Sequence, residues 1–570
     1  MNSRKLLFDI LRETGLDDTI ATELAALQPQ PGGSWTSEVL NTGRVDEIKF
    51  AAELARAFQT PFETVETDRI ERKMLSILPS RVVFKHHVLP LGESEAGVRV
   101  ATYDVFNLVA RRLVAQQLPG RKIEWIIAPR GQLIRAIKAL FGVGAETFEE
   151  ILQTARHYDS DSQESSQDIT SDNPEASVVK FVNQIIREAI QERATDIHVE
   201  PLENDLRIRY RIDGILHEVA VPAQLRLLQS AIISRLKVMA HMDIAERRLP
   251  QDGRINLTTH QGHIDVRVST IPTVNGESIS LRLLSRSDVG NFGLDRLDMG
   301  EAQLQAIREM LKLPNGIILV TGPTGSGKST SLYCFLSAIN AVSRRIITIE
   351  EPVEYRLPGV SQIEVKSEIG LSFANGLRAI LRQDPNIVMV GEIRDFETSE
   401  IAIRAAMTGH LVFSTLHTND AVSGITRLLD MGIEPFLLAS VVRCFLAQRL
   451  VRTICKGCKE ETTYPQEYLS DIGAPFPPGT KFYHGAGCEH CRQTGYRGRA
   501  AIYEICVVNE NLRRLVIRKE TGSVLKQRAT LDGMHTLRQD GWRRVLQGQT
   551  TVEEVVRVTQ QDEALAETDT

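Results

Sequence analysis

Four continuous apolar runs give the second half of the chain its pattern. They read NGIILV, RIITIEE, NIVMVGE and HLVFSTL, and segments with helical spacing of apolar residues separate them. A strand that is buried on both faces has a continuous apolar sequence, whereas a strand with one exposed face alternates. The pattern therefore predicts a parallel sheet covered by helices, an α/β core that extends over residues 293–450.

The first half of the chain has a different pattern. Residues 1–155 combine helical spacing, as in IKFAAELARAF, with short strand-like pieces such as GVRVATY. Residues 177–292 begin with an amphipathic helix and continue with alternating strands, among them LRIRYRI and HIDVRV. The segment between them, 156–176, is acidic and rich in Ser and Asp, which is typical of a disordered linker. We predict a helical and α+β N-terminal domain, a linker and a second α+β domain.

Composition narrows the function classes. The 570 residues carry 67 Lys and Arg against 73 Asp and Glu, a net charge of −6, which argues against a dedicated nucleic-acid-binding protein. No apolar run approaches the roughly 18 residues that a membrane span needs. Asp9 interrupts the short apolar segment at the N-terminus, unlike a signal peptide. We expect a cytoplasmic protein that reaches a membrane only through partners.

The segment TGPTGSGKST, residues 321–330, follows the first apolar run and precedes a helix. Its G-x-x-x-x-G-K-S spacing is that of a phosphate-binding loop, in which backbone N–H groups converge on phosphate oxygens. Lys328 is expected to reach the β- and γ-phosphates, and Ser329 to offer its hydroxyl to Mg²⁺. The residues predicted to bind the nucleotide are Gly322, Pro323, Thr324, Gly325, Ser326, Gly327, Lys328, Ser329 and Thr330.

Acidic residues follow two of the other apolar runs. Glu392 comes directly after NIVMVG, and at the carboxyl end of a strand it is expected to hold Mg²⁺ through water. Glu350, Glu351 and Glu354 follow RIITI. One of these three carboxylates is expected to polarise the attacking water, and a charged turn is the alternative for at least one of them.

These motifs together resemble one family. GPTGSGKST, TIEEPVEY, LRQDPNIVMVGEIRD and TGHLVFSTLHTND are similar to the motifs of the secretion ATPase superfamily, in particular the type II secretion and type IV pilus assembly ATPases, over nearly the whole chain. The resemblance implies a RecA-like P-loop ATPase core preceded by a PAS-like α+β domain, with ATP and Mg²⁺ as cofactors. By motif position Glu354 is the expected catalytic acid and Glu350 its support, although the family's Glu-Asp-Pro reads Glu350-Glu351-Pro352 here.

The same resemblance assigns histidines and domain-closing arginines to the site. His410 and His417 match the family's histidine box, and His417 is expected to sense the γ-phosphate. Arg267 and Arg282 lie in the second α+β domain, and they are expected to stabilise the transferring phosphoryl group on domain closure. Without the resemblance, these two would read as solvent-facing strand arginines.

A second pair of arginines, Arg378 and Arg382, lies four residues apart in GLRAILRQDP. Helical spacing puts both side chains on one face. The resemblance places them at the nucleotide or at a subunit interface, and ion pairing with nearby acids is the alternative. Because members of the family work as hexameric rings, the resemblance also implies a homohexamer.

Four of the seven cysteines form two Cys-x-x-Cys pairs within residues 451–500. Two such pairs in a cytosolic chain fit a tetrahedral zinc site, although the segment between them is longer than in a compact zinc ribbon. A redox pair is the alternative. The family carries a tetracysteine subdomain at this place, and residues 501–570 beyond it read as helices with an acidic tail. The predicted zinc ligands are Cys455, Cys458, Cys488 and Cys491.

The resemblance also bears on residues 1–155. In the family this domain docks onto platform proteins of the inner membrane, and some members bind cyclic di-GMP there. Candidate residues for that ligand occur in a loosely similar order but with different spacing, and a second copy is poorer. We therefore expect a docking domain without the ligand. The residues concerned are Arg4, Gly15, Leu24 and Gln28, with Gly43 and Gln59 in the second copy.

The leading hypothesis is a cytoplasmic, hexameric, Mg²⁺-dependent ATPase that powers pseudopilus assembly in type II protein secretion. The segment ITRLLDMGIEPFLLASVVRCFLAQRLVRTIC favours the secretion branch. Extension of type IV pili is the first alternative. A nucleic-acid translocase is a second, against which the acidic balance and the lack of a basic, aromatic-interleaved stripe argue. A nucleotide-gated regulatory protein without turnover is a third.

Overall fold

A computed structural model describes residues 3–29, 34–70, 72–95, 97–142, 174–222, 225–259, 262–285, 292–474, 476–477 and 479–559. Most of the predicted linker, 156–173, and the acidic tail therefore lie outside the described residues. The chain divides into two compact units, of which one holds residues 1–258 and 264–284 and the other holds 259–263 and 285–570.

Residues 3–142 form helices on a small sheet. The helices are α1 (Ser3–Glu13), α2 (Asp18–Ala25), α3 (Trp35–Asn41), α4 (Glu47–Ala57), α5 (Ser80–His86), α6 (Leu108–Gln117) and α7 (Arg130–Phe141), and the strands are β1 (Val88–Ser94), β2 (Gly97–Thr102) and β3 (Ile123–Ile127). Strand β2 is central, antiparallel to β1 and parallel to β3. Of the candidate ligand residues, Gly15 and Gly43 end helical segments with positive φ, and Leu24 is buried in the helical core.

The second sheet of this unit has six strands and lies beside two helices. It contains α8 (Pro174–Gln191), β4 (Asp196–Pro201), β5 (Leu206–Ile212), β6 (Ile215–Val219), α9 (Gln229–Met239), β7 (Gln251–Thr259), β8 (Gly262–Thr273) and β9 (Gly276–Ser285). The strand order is β6-β5-β4-β9-β8-β7. The predicted α+β domain is confirmed, and its first helix begins at Pro174, three residues inside the predicted linker.

The other unit is built on a seven-stranded sheet. It begins with α10 (Glu301–Met310), β10 (Gly316–Thr321), α11 (Lys328–Ile339), β11 (Ile346–Glu350), β12 (Val360–Glu364), α12 (Phe373–Leu381), β13 (Ile387–Val390), α13 (Phe396–Met407), β14 (Leu411–Leu416), α14 (Ser423–Asp430), α15 (Pro435–Val441) and β15 (Val442–Ile454). The four apolar runs are the buried strands β10, β11, β13 and β14, as predicted.

The remainder of this unit returns to the same sheet. It consists of β16 (Lys459–Thr462), α16 (Gln466–Asp471), β17 (Phe482–Gly485), β18 (Tyr496–Val507), α17 (Glu510–Ile517), α18 (Gly522–Leu531), α19 (Leu537–Leu546) and α20 (Val552–Val558). The sheet order is β12-β11-β13-β14-β10-β15-β18, parallel except for β18, which is antiparallel to β15.

The predicted boundary at 450/451 is therefore misplaced. Strand β15 crosses it and pairs with β18 along most of its length, so the cysteine-bearing segment is an insertion between two strands of the core sheet. The sequence pattern did not indicate β15, because this strand follows α15 directly and no turn residues separate the two. Among the described residues, none belongs to a helix that is both long enough and apolar enough to span a bilayer.

Candidate functional site

The predicted phosphate loop and several of the predicted acidic and histidine residues lie where the parallel strands of the seven-stranded sheet end. Thr321 closes β10 directly beside Leu416, the last residue of β14. Ile349, near the end of β11, pairs with Val390, the last residue of β13. Because parallel strands end at one edge, the loops that follow them meet there. This edge carries four parts of the predicted site, which are the phosphate loop, the acidic segment after β11, Glu392 and His417.

The loop between β10 and α11 has the backbone that its glycines predict. Gly322, Gly325 and Gly327 have φ values of 148°, 79° and 90°, a region that other residues rarely adopt. A Cβ atom on Gly322 would lie 2.6 Å from the backbone carbonyl oxygen of Gln448, and one on Gly327 would lie 2.7 Å from Nε2 in the side chain of the same residue. Larger residues are excluded at both positions, so the loop lies tightly against β15.

Lys328 is the first residue of α11, and its side chain turns back into the loop. Its Nζ donates to the carbonyl oxygens of Gly322, at 2.9 Å, and Pro323, at 3.0 Å. Burial lowers the pKa of Lys328 to about 8, while the charge of Glu392 acts in the opposite direction. The ammonium group is thus held at the N-terminus of a helix, where the helix dipole and N–H groups favour an anion.

Glu392 is the acidic residue that interacts with Lys328, Arg394 and His417. Its side chain is 13% exposed, and Arg394 Nη2 donates to Oε1 at 2.6 Å. His417 Nε2 lies 3.5 Å from Oε2. The pKa of His417 is lowered by burial and by the charge of Lys328, against an opposing effect of Glu392. At neutral pH His417 is therefore a neutral imidazole that can donate or accept a hydrogen bond.

Strand β14 fixes the backbone that carries Glu392. Ser414 Oγ donates to the carbonyl oxygen of Val390, and Thr415 Oγ1 donates to that of Gly391, both at 2.7 Å. The N–H of Gly391 in turn donates to Ile349 at 2.7 Å. The two oxygen groups predicted to hold Mg²⁺, the Ser329 hydroxyl and the Glu392 carboxylate, thus rise from rigid elements, and oxygen donors of this kind suit an ion that keeps several waters.

Glu350 differs from the other acids because it is buried. It is 4% exposed and accepts three hydrogen bonds, from the Tyr333 hydroxyl, from Thr348 Oγ1 at 2.5 Å and from Gln362 Nε2 at 3.0 Å. Tyr333 lies on α11, and its hydroxyl also accepts from the backbone N–H of Glu354 at 3.3 Å. The carboxylate of Glu350 is buried and accepts three protein donors, which agrees with a supporting role rather than activation of a water.

The two acids after Glu350 are both exposed. Glu351 pairs with Arg394 at 3.5 Å. The charge of Glu354 acts on the pKa of Lys328, so this carboxylate belongs to the electrostatic environment of the phosphate loop. His410, by contrast, precedes β14 at the opposite end of the strand, where its Nδ1 bonds to the carbonyl oxygen of Ala405 at 2.8 Å. Only one histidine of the predicted pair, His417, therefore lies at the strand edge that carries the site.

Of the two helical arginines, Arg378 forms an ion pair with a nearby acid. Arg378 Nη2 donates to Glu397 Oε1 on α13 at 2.6 Å. Arg382 caps the end of α12 and is exposed. The structure of this unit shows neither of them bonded to the phosphate loop.

Arg267 and Arg282 lie in the other unit, on the neighbouring strands β8 and β9. They line one cavity of about 510 Å³ together with Arg254 of β7. Arg282 donates through Nε to Asp196 Oδ1 at 3.0 Å, while its side chain remains 57% exposed. Three guanidinium groups and one carboxylate, that of Asp252, line the cavity, which gives a net cationic surface suited to an anion.

The four predicted cysteines come together as one cluster. Their Sγ atoms all lie within 4.8 Å of one another, with 3.6 Å between Cys455 and Cys488 and 3.7 Å between Cys458 and Cys491. A tetrahedral zinc site with Zn–S bonds of about 2.3 Å has S–S edges of about 3.8 Å. The cluster fits zinc, and its thiolates would supply all four ligands of a closed structural site.

The long spacing between the two cysteine pairs has a structural explanation. The β16 and β17 strands pair in antiparallel fashion, with Lys459 opposite Gly485, so the intervening segment goes out and returns. The backbone N–H groups of residues 488 and 495 both point at Cys491 Sγ, at 3.1 and 3.3 Å. Such N–H donors stabilise a thiolate.

Comparison with known families identifies the chain. The model of the Type II/IV secretion system protein family matches residues 171–557. The chain belongs to this family. A second model, the MshEN domain, matches residues 58–147. That match includes Gln59 but none of the other residues named as candidate cyclic di-GMP ligands, so binding of that ligand stays untested.

Relatives of this family member come from two branches. The type IV pilus assembly ATPase PilB of Myxococcus xanthus is 41% identical over 544 residues, which covers 94% of this chain and 95% of PilB. The type II secretion system protein E of Xanthomonas campestris pv. campestris is 41% identical over 564 residues, with 97% of both chains covered. Among solved structures, the pilus retraction motor PilT with bound ADP is 28% identical over 66% of this chain and 96% of PilT, with a TM-score of 0.44.

Several residues of the site were not singled out from sequence. Arg394 lies two residues after Glu392, within the motif LRQDPNIVMVGEIRD, and Arg254 lies in the second α+β domain. Tyr333 gave no signal, because a tyrosine at helical spacing reads as core. Gln448 and Arg449 belong to β15, where Ser331 Oγ donates to Gln448 Oε1 at 2.7 Å.

Proposed function

We propose that this protein hydrolyses ATP with Mg²⁺ and that the hydrolysis powers a type II protein secretion machine. The single observation that carries the proposal is the edge of the seven-stranded sheet, where the phosphate loop with Lys328 meets Glu392 and His417. Relatives at 41% identity over nearly their whole length are named ATPases or secretion proteins, which supports the same chemistry here.

The roles proposed for the residues follow from their contacts. Lys328 and the loop N–H groups bind the β- and γ-phosphates, and Ser329 and Glu392 hold Mg²⁺, directly or through water. When bound, Mg²⁺ neutralises charge that develops on the phosphate oxygens. The exposed carboxylate of Glu354 polarises the attacking water, since the carboxylate of Glu350 is buried and already accepts three hydrogen bonds from the protein.

His417 and the arginines complete the proposed site. A neutral His417 beside Glu392 offers a hydrogen bond to the γ-phosphate. Arg267 and Arg282, on their cationic cavity, stabilise the transferring phosphoryl group when the α+β domain meets a nucleotide-bearing core. We propose that this meeting occurs within a homohexamer. Arg378 and Arg382 are proposed to act at its subunit interfaces, with Glu397 as the partner that Arg378 would exchange there.

The rest of the chain is proposed to connect this motor with its machine. The cysteine cluster binds structural zinc and stabilises its lobe. The N-terminal domain docks onto an inner-membrane platform protein, which would place the protein on the cytoplasmic side of that membrane. Type II secretion is preferred because the type II protein E of Pseudomonas aeruginosa is 48% identical over 398 residues, and pilus extension remains the second candidate because PilB is similar over a longer span.

The test begins with purified full-length protein. Phosphate release with ATP and Mg²⁺ is measured for the wild type, for Lys328→Ala, and for Lys312→Ala, which alters an exposed lysine of the same unit. We expect Lys328→Ala to abolish release and Lys312→Ala to retain it. Equal release by wild type and Lys328→Ala would overturn the assignment of the loop. In the organism that encodes this chain, the Lys328→Ala variant is compared with the wild type: loss of exported proteins with surface pili intact supports the secretion branch, and loss of pili with export intact supports the pilus branch.

A further inference from the structure

A buried carboxylate outside the proposed site, Glu504, lies in line with the end of the phosphate-loop strand. One row across the sheet joins Leu416 of β14, Thr321 of β10, Ala447 of β15 and Glu504 of β18. The row contains Leu416 and Thr321, the last residues of β14 and β10. The loop after β14, residues 417–422, carries His417 and is called the His417 loop; the phosphate loop follows β10. Glu504 thus occupies the outer end of the row that borders the site.

Glu504 accepts hydrogen bonds from two separate parts of the chain. Its side chain is 2% exposed. Oε1 accepts from the N–H of Ala421 at 2.8 Å, in the loop that carries His417. Oε2 accepts from the N–H of Leu537 at 3.2 Å, the first residue of α19. One carboxylate therefore joins the His417 loop to the N-terminus of α19. This helix belongs to the C-terminal helical layer, which consists of the helices α17–α20 that follow β18.

The remainder of the His417 loop is also held by side chains of the core. Arg449 Nη2 donates to the carbonyl oxygen of Asn419 at 2.9 Å. Thr321 Oγ1 and Thr418 Oγ1 donate to the carbonyl oxygen of Asp420 at 3.4 and 3.0 Å. These contacts come from β10, β15 and the loop itself. The two hydrogen bonds of Glu504 connect the loop with the C-terminal helical layer.

A carboxyl group suits this position better than an amide side chain. Two backbone N–H groups approach its two oxygens, and an amide side chain offers only one acceptor oxygen. The arrangement has a cost, because burial raises the pKa of Glu504 to about 7 and the charge of Asp420 acts in the same direction. A costly buried group that bridges two segments holds them in a fixed relation.

We propose that Glu504 is a positioning residue for ATP hydrolysis, which fixes the His417 loop relative to helix α19 and so makes turnover depend on the C-terminal helical layer. The proposal rests on the proposed function. In this proposal Glu504 does not contact the nucleotide. Its replacement is expected to slow the chemical step, because a small displacement of a group near the phosphate lowers the reaction rate.

The test compares Glu504→Gln with a matched control, Asp540→Asn. Asp540 is also buried, also lies on the interface of β18 and α19, and accepts from the N–H of Tyr503 at 2.9 Å. It makes no hydrogen bond to the His417 loop. Steady-state hydrolysis of ATP by the full chain gives kcat and KM for wild type and both variants. We expect Glu504→Gln to lower kcat about 10-fold or more with KM within about 2-fold, and Asp540→Asn to keep kcat.

The outcomes separate this proposal from the proposed function. A wild type that does not hydrolyse ATP contradicts the proposed function itself. An active wild type whose kcat survives Glu504→Gln, or falls equally with Asp540→Asn, contradicts the positioning role alone.

A measurement on the unaltered chain covers the case in which Glu504→Gln does not fold. Hydrogen exchange is followed in peptides that contain Ala421 and Leu537, with and without a slowly hydrolysed ATP analogue. The two N–H groups share one acceptor residue, so we expect nucleotide to slow exchange in both peptides and to leave α17 unchanged. Protection of the Ala421 peptide with none at Leu537 would overturn the link.

Discussion

Tyr333, on the helix that follows the phosphate loop, donates its hydroxyl hydrogen to the buried carboxylate of Glu350. The same hydroxyl oxygen accepts from the N–H of Glu354. A single phenol therefore sets the spacing between α11 and the acidic segment. The rings of Phe292 and Tyr355 pack on Tyr333 at centroid distances of 5.6 and 6.0 Å, so its orientation is fixed by packing as well.

Replacement of Tyr333 by Phe removes this hydroxyl and keeps the ring. Glu350 loses one of three donors and the N–H of Glu354 loses its acceptor, which is expected to cost about 1–3 kcal/mol of stability. We expect kcat to fall more than KM rises, because the acidic segment moves relative to the loop. Tyr503→Phe is the control: its hydroxyl donates to Leu297 at 2.9 Å, away from the acids. A similar loss of kcat in both variants would reduce Tyr333 to a stability role.

Arg282→Ala tests the proposed closing arginines. The matched control is Arg211→Ala, since Arg211 pairs with the other oxygen of the same carboxylate, Asp196, at 3.5 Å but does not line the cavity. We expect Arg282→Ala to lower kcat by at least about 10-fold, with little change in the affinity for a fluorescent nucleotide, because a delivered guanidinium acts on the transition state. Unchanged turnover in Arg282→Ala would exclude this arginine from the reaction.

Cys458→Ser tests the zinc assignment. We expect elemental analysis to find about one zinc per wild-type chain and a large loss in the variant, since a structural site needs its four thiolates. Cys444→Ala is the control, because Cys444 is a buried core residue of β15; it is expected to lower stability and to keep the metal. Equal zinc in wild type and Cys458→Ser would mean that the cluster is not the site.

The pKa of Glu504 predicts a pH dependence of stability. Its usual value is 4.5, and burial raises it to about 7, with Asp420 adding to the shift and Lys526 opposing it. Between these values the folded chain keeps a proton that the unfolded chain has lost. Stability therefore falls as pH rises from about 4.5 to about 7, by about 3 kcal/mol for this group. Below 4.5 and above 7 this group contributes no further slope.

The measurement is denaturant unfolding at several pH values, for the wild type and for Glu504→Gln. Trp542 is buried on α19, and in a background with the other two tryptophans replaced by Phe its fluorescence reports on this unit alone. We expect the difference in stability between the two proteins to change over this pH range in favour of the variant at higher pH. A constant difference would mean that Glu504 does not titrate there.

The parts of the site that the sequence predicted share one property. Each of them, Lys328, Glu392 and His417, follows a continuous apolar run. The carboxyl ends of parallel strands lie at the same edge of a sheet, and this does not depend on how the other segments pack. Tyr333 and Glu504 could not be found this way. Their roles depend on which segments pack beside them, and Glu504 contacts the His417 loop from an antiparallel strand that enters the sheet only after the cysteine-bearing insertion.

The same reason explains the misplaced boundary. The strands β15 and β18 are adjacent in the sheet but are separated in sequence by the whole insertion. A local pattern cannot show such a pairing, because the two strands have no common turn. The cysteine spacing did indicate the cluster, since the chemistry of four thiolates does not depend on the path between them.

The pairing of Ile454 with Tyr496 has a consequence for the history of the chain. These two residues flank the insertion, and paired Cα atoms of antiparallel strands lie only about 5 Å apart. A short hairpin turn could therefore close the gap, and the course of every other strand would stay the same. Because the cysteine-bearing segment enters and leaves the core sheet at one paired position, its length can change among related chains without moving the strands that carry the phosphate loop.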